Sequence, residues 1–191
     1  MNNPYYLGNE NSEKFFYDVI LPELKNRYDF SKSKEPTANF LISLPDIRKS
    51  KSLRQYKNMP IVSMSKLRMF HPYIEDIYKH HRQNVFELTK ADVLNWYQLL
   101  LKELYAAKCD FVVDAEIRNK EEVFFDLQEA TAHNYKVKIE VLLMHEYEAL
   151  LFALNFYATI YEYDPTKAHM VSQDEIKASI NEILELAKAL A

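Results

Sequence analysis

The stretch Thr37-Ala-Asn-Phe-Leu-Ile-Ser-Leu-Pro-Asp-Ile-Arg-Lys-Ser50 puts a lysine and a hydroxyl directly after a short apolar run and a proline. A strand, a turn and Lys-Ser at a helix start is the order that holds nucleotide phosphates. The lysine reaches phosphate oxygens, the hydroxyl reaches Mg²⁺, and backbone N–H groups curl around the anion. Pro45, Arg48, Lys49 and Ser50 are the candidate phosphate contacts. That cradle depends on glycines, because consecutive N–H groups point inward only where positive φ costs nothing. None is present in the stretch: Gly8 is the chain's one glycine.

A second group is Asp114, Glu116 and Arg118, which follow the apolar run Phe111–Val113. Carboxylates beside a guanidinium at a strand end suit a sugar or cation site, or an ion pair that closes a loop, and the pattern leaves both open. A third is His145, Glu146 and Glu148. It lacks the two-histidine spacing of a zinc helix, and acids in a helix's first turn favour the macrodipole, so no metal site is expected. Cys109 is the only cysteine, which excludes an intrachain disulfide and a Cys-rich zinc site. No serine stands on a nucleophile turn. Between Asp46 and Glu75 there is no acid, while Arg48, Lys49, Lys51, Arg54, Lys57, Lys66 and Arg68 are all cationic. This window is either an anion pocket or a solvated basic face.

The elements that position these residues follow from periodicity and punctuation. Asn39–Leu44 is a short apolar run with turn signals on both sides, hence a buried strand; Met59–Met64, Cys109–Ala115 and Tyr135–Met144 read as three more strands, the last alternating early and then solidly apolar. Helices are expected from about Ser12, with a kink or restart at Pro22, and over 71–81, 89–108, 119–134, 145–163 and 172–191. Asn119 with Glu122, and Ser172 with Glu175, have capping-box spacing. Val93, Leu94, Tyr97, Leu100, Leu101 and Leu104 share one helix face. Strands alternating with long helices give an α/β fold with a parallel sheet and helices on both faces, preceded by an N-terminal helix. Ligands then sit at the carboxyl ends of the strands, after Leu44, Met64, Ala115 and Met144.

The bulk numbers agree. The chain has 191 residues, 48% hydrophobic and 14% aromatic, which is enough to pack a core. A net charge of −4 gives no nucleic-acid signal. No basic-apolar leader opens the chain and no run approaches membrane-spanning length. With one cysteine, a reducing cytoplasm is the expected location.

The order of a leading helix, Pro36-Thr-Ala-Asn-Phe-Leu41, a proline loop with Lys-Ser, His71-Pro72 after the second strand, Arg118 after the third, and then His133 through Pro165 resembles the zeta toxins. These are P-loop kinases of bacterial toxin–antitoxin systems. The resemblance implies a P-loop-kinase-like domain over 35–191 after a helical segment at 1–34. It also implies phosphorylation of UDP-N-acetylglucosamine or a similar nucleotide sugar with ATP and Mg²⁺, an antitoxin-like partner, and a C-terminal element beyond the point where this sequence ends.

The functional positions depart from the family together. Its loop, Gly-Gly-x-Pro-Gly-Ser-Gly-Lys-Ser/Thr, falls on Ile42, Ser43, Leu44, Pro45, Asp46, Ile47, Arg48, Lys49 and Ser50. Proline, lysine and hydroxyl are kept and every glycine is replaced. Asp46 sets a carboxylate where phosphate oxygens belong; two unit charges 4 Å apart at an effective dielectric of 20 repel by about 4 kcal/mol. The family's catalytic aspartate, after the second strand in an Asp-x-Asp-like turn, becomes Ser63 or Ser65. Asp114 stands for its glutamate, and Arg118 matches its loop arginine. The two clamping arginines fall at Asn155-Phe156 and near His169, and neither is kept. The expectation is a catalytically degenerate protein that binds a ligand or a protein partner, with Asp114 and Arg118 as the residual catalytic positions. The alternatives are a divergent active kinase and a pure interaction module.

Overall fold

A computed structural model describes residues 3–44, 50–116, 120–165, 168 and 170–190. In chain order the elements are α1 (Asn9–Phe15), a π-helical turn (Phe16–Ile20), α2 (Leu21–Arg27), β1 (Thr37–Ser43), α3 (Ser50–Arg54), β2 (Ile61–Val62), α4 (Met64–Arg68), α5 (Ile74–His81), a 3-10 turn (Arg82–Asn84), α6 (Val85–Ala107), β3 (Phe111–Glu116), α7 (Lys120–Ala132), β4 (Lys136–Leu142), α8 (Glu146–Tyr163) and α9 (Gln173–Leu190). The strands form a parallel sheet in the order β2-β3-β1-β4 with helices around it, the expected class. β1 and β4 run in register from Thr37 opposite Lys136 to Ser43 opposite Leu142.

The chain divides into two units. One is Met1–Lys34 with Asn58–Phe111; the other is Glu35–Lys57 with Val112–Ala191. The spine of the first is α6, against which α1, α4 and α5 pack. Its buried face carries the expected Val93, Tyr97, Leu100, Leu101 and Leu104, and also Trp96. Trp96 donates its indole N–H to the Ser12 carbonyl at 2.9 Å, fixing α1 on α6. The leading helix starts at Asn9, three residues before the expected start, because Gly8 at its N-cap takes φ 81°. The helix widens into the π turn just before Pro22, which sits in the first turn of α2. There the missing N–H leaves no hole.

A polar knot lies inside this apolar unit. His71 and Asp92 are both buried. The Tyr73 amide donates to His71 Nδ1 at 3.3 Å, which leaves Nε2 to face Asp92 Oδ2 at 3.4 Å. The Leu7 amide donates to the same carboxylate oxygen at 3.2 Å. Asp92 thereby ties the N-terminal strap and the turn after α4 to α6.

In the second unit α9 buries the stripe Ile176, Ser179, Ile183 and Leu186 at helical spacing. Its start is the expected capping box. The Ser172 amide donates to Glu175 Oε2 at 2.8 Å, and the Glu175 amide donates to Ser172 Oγ at 3.2 Å. Asp164 ends α8 in extended geometry ahead of Pro165. The expected cap Asn119 lies outside the described residues.

With so little glycine, other residues take the left-handed helix ends. Lys108 closes α6 at φ 57° and Asn134 follows α7 at φ 61°. Asparagine tolerates this region; lysine pays about 1–2 kcal/mol for it. Lys108→Gly is therefore expected to raise stability by about 1 kcal/mol once the added unfolded-chain entropy is counted, read from urea unfolding midpoints. Asp92→Ala should lower it by about 3 kcal/mol, since it leaves His71 and the Leu7 amide buried without their acceptor. Burial pushes the Cys109 thiol up to about 11. At pH 8 it should resist a thiol-exchange reagent in the folded chain and react on unfolding, as counted by released chromophore.

Candidate functional site

In the second unit β1 and β3 each bring a polar side chain to the carboxyl end of the sheet. β1 runs out through Ile42, Ser43 and Leu44, each 0% exposed. Ser43 Oγ is buried and finds no hydrogen-bond partner among the described residues. Such an orphan costs free energy unless a ligand or water meets it. On β3, Asp114 is 9% exposed, next to the fully buried Val112 and Val113. Among Pro45, Arg48, Lys49, Ser50, Asp114 and Arg118, Asp114 is the one whose side chain is described. Ser50 is the first residue of α3, which fits a loop that opens a helix. Pro45, Arg48, Lys49 and Arg118 lie outside the described residues, as does His169.

The exit of the loop is anchored to β4. After α3, Gln55 Nε2 donates to Glu140 Oε2 at 2.9 Å, and the Tyr56 hydroxyl donates to the same oxygen at 3.4 Å. Burial, and then the Glu140 charge, hold the Tyr56 phenol above its ordinary pKa, so it stays a donor. Sequence reading missed this clamp. Its only trace is a carboxylate in the alternating Lys136-Val-Lys-Ile-Glu-Val-Leu142, which gives no clue to its partner.

At the α8 start, His145 is the N-cap. Its Nδ1 accepts from the Tyr147 amide at 3.4 Å, and its ring stacks on Tyr147 with centroids 5.5 Å apart. Glu146 turns instead to Gln173 at 2.7 Å and Lys177 at 3.5 Å, which hold its carboxyl below the usual range. Asn155 and Phe156, at the place of a family arginine, are exposed on α8.

In the first unit the end of β2 carries Ser63, 1% exposed, whose Oγ lies 2.9 Å from Ser65 Oγ. A hydroxyl pair offers donors and acceptors but no group that takes a proton at neutral pH. The basic window is less uniform than its charge suggested. Arg54, Lys57 and Lys66 are exposed, whereas Arg68 is buried. Arg68 donates Nε to Thr89 Oγ1 at 3.0 Å and lies over the Phe86 ring at 4.4 Å. This arginine is not part of a solvated face; it is packed against α6. Periodicity missed Thr89 as its partner because a lone threonine on a helix carries no pattern.

The family model for the zeta toxins matches residues 47–191. No curated protein matches the chain. Among solved structures, a chain from the PezAT chromosomal toxin–antitoxin system of Streptococcus pneumoniae superposes with a TM-score of 0.79 at 16% identity. The match covers 100% of this chain and 76% of that one. At that identity the likeness establishes the shared fold. The family match covers most of the sequence, and the chain belongs to the zeta toxin family.

Proposed function

We propose that this zeta-toxin-fold protein has lost phosphoryl transfer and acts by binding, with a protein partner of the antitoxin kind as first choice and a nucleotide sugar as second. The observation that carries the reading is the serine pair. Where the family's base belongs, Ser63 and Ser65 hydrogen-bond to each other, and neither is a carboxylate. Catalysis of this transfer consists of positioning plus neutralising the moving phosphoryl charge. The clamping positions hold Asn155-Phe156 and the region of His169 in place of arginines. The loop supports the same reading: Ile42, Ser43 and Leu44 are core side chains where the family has two glycines and the residue before its proline. The partner choice rests on the solved relative, which comes from a toxin–antitoxin system. Among the described residues no helix is long and apolar enough to cross a membrane.

One observation favours a second reading, a divergent kinase. Asp114 is buried on β3 toward the carboxyl ends of the strands, where such sheets place their ligands, and its carboxylate would replace the missing base. Arg48, Lys49, Ser50 and Arg118 would then hold ATP and Mg²⁺, with Glu116 as the other candidate base.

Thermal unfolding separates the two. A ligand at 100 times its dissociation constant stabilises by about 2.7 kcal/mol, or about 5–10 °C for a chain of this size. The expected result is no shift with Mg-ATP, no turnover of UDP-N-acetylglucosamine, and the same unfolding curve for Lys49→Ala. A shift with Mg-ATP that Lys49→Ala removes, together with sugar phosphorylation, would establish the kinase. A shift with the sugar alone would assign the ligand-binding form, and a shift with an antitoxin-type protein alone the partner-binding form.

A further inference from the structure

The chain's one glycine stands where the N-terminal strap joins α1. Gly8 takes φ 81°, and a Cβ there would meet nothing within 4 Å, so no neighbour crowds the joint. The strap before it, Asn3 to Leu7, docks by one side: Asn3, Tyr5 and Leu7 are half-buried, while Pro4 and Tyr6 are exposed. Each inward residue makes a polar tether. Asn3 Nδ2 donates to the Leu88 carbonyl at 2.7 Å, the Tyr5 hydroxyl donates to Asp76 Oδ2 at 2.8 Å, and the Leu7 amide donates to Asp92 Oδ2 at 3.2 Å. The Tyr5 ring packs against the cluster of Ile74, Ile77 and Val85, with the His81 ring 5.5 Å away. Among the described residues no backbone–backbone hydrogen bond joins the strap to the helices it lies on. An element held by a few side-chain contacts belongs to the low-stability end of a fold.

One of the tethers is shared with another segment. Asp92 is 1% exposed, and its Oδ1 finds no hydrogen-bond partner among the described residues. Its Oδ2 serves both the Leu7 amide and His71 Nε2, the latter at 3.4 Å. A buried carboxylate needs its donors. With the strap lifted, Asp92 keeps only the long contact to His71, and a shift of the His71 turn lets water solvate the carboxylate. That turn continues α4. The His71 amide donates to the Arg68 carbonyl at 3.0 Å, and the Ile74 amide donates to the His71 carbonyl at 2.9 Å. At its other end α4 has Ser63 as N-cap, the residue whose hydroxyl pairs with Ser65. One carboxylate therefore links the strap to the segment that runs back to the end of β2.

We propose that residues 3–7 are a latch hinged at Gly8, whose opening releases the turn at 66–75 in the same step and so loosens the segment on which the serine pair stands. The test is native-state hydrogen exchange of the 191-residue chain, read by mass spectrometry with no nucleotide present, so that it stands apart from the kinase question. Peptides over 3–8 and 66–75 should show matching protection, about tenfold or more below that of the α6 core from Trp96 to Leu104. Asn3→Ala and Tyr5→Phe each remove one tether. Each should speed exchange of both segments about threefold to tenfold and leave the α6 core unchanged. Tyr17→Phe, which removes a hydroxyl bond to Glu103 elsewhere in the same unit, should change neither segment. A strap as well protected as the α6 core would overturn the proposal. So would a Tyr5→Phe chain in which 3–8 speeds up while 66–75 keeps its rate, or in which the change spreads equally to the α6 core.

Discussion

Burial of β1 on both faces is the constraint on which the rest depends. From Ala38 to Leu44 every side chain is buried, so the strand has no solvent face and shows no alternation. Such a strand needs a neighbour on each edge and helices over each face. β3 and β4 are the neighbours, and parallel pairing forces each connection through a helix. The carboxyl ends then gather Ser43, Asp114 and the turn after Leu142 at one end of the sheet. The site's location is thus a consequence of how one apolar run is covered, before any residue that does chemistry is considered.

Scarcity of glycine is the second constraint, and it acts unevenly. Where only a single positive φ is needed, the chain manages with Asn134, which tolerates it, and Lys108, at a cost of about 1–2 kcal/mol. Gly8 serves the one N-cap where φ is 81°, and a Cβ built there meets nothing within 4 Å, so its role is conformational rather than steric. A phosphate cradle is a different demand. It needs several consecutive backbone groups turned inward with no side chain between them and the anion. A lysine can end a helix in place of glycine, but no residue with a side chain meets the demand of such a cradle as glycine does.

The fold was largely legible in the sequence because its signals are local. The four apolar runs became the four strands, and the long periodic segments became α6, α8 and α9 within a few residues. α4 was not anticipated: Met64–Arg68 is a five-residue turn of helix with no periodicity to read. The site was much less legible. Lys49-Ser50 and Asp114 were visible as residue types near strand ends, but Ser43's orphan hydroxyl and the Gln55–Tyr56–Glu140 clamp depend on distant segments meeting. Arg68 shows the same limit from the other side. Composition places it in a basic run, while a threonine 21 residues on and a phenylalanine ring decide where it goes.

On the proposed reading, the serines after β2 are a case of a fold outliving its chemistry. Two carboxylates two residues apart in one turn repel, which favours protonation of one unless a cation or a substrate stands between them. An Asp-x-Asp arrangement there ties the comfort of the empty protein to what it binds. Two hydroxyls impose no such requirement. At 2.9 Å Ser63 and Ser65 hydrogen-bond to each other, and the Ser63 carbonyl accepts the Leu67 amide at 2.9 Å, so neutral groups meet at the start of α4. Replacing the acids removes the proton acceptor and, in the same step, the need for a compensating positive group. The loop departs from the family in the same way, with every glycine of its pattern replaced in the sequence. On that reading both changes move free energy from the bound state to the empty one, while the sheet behind them persists.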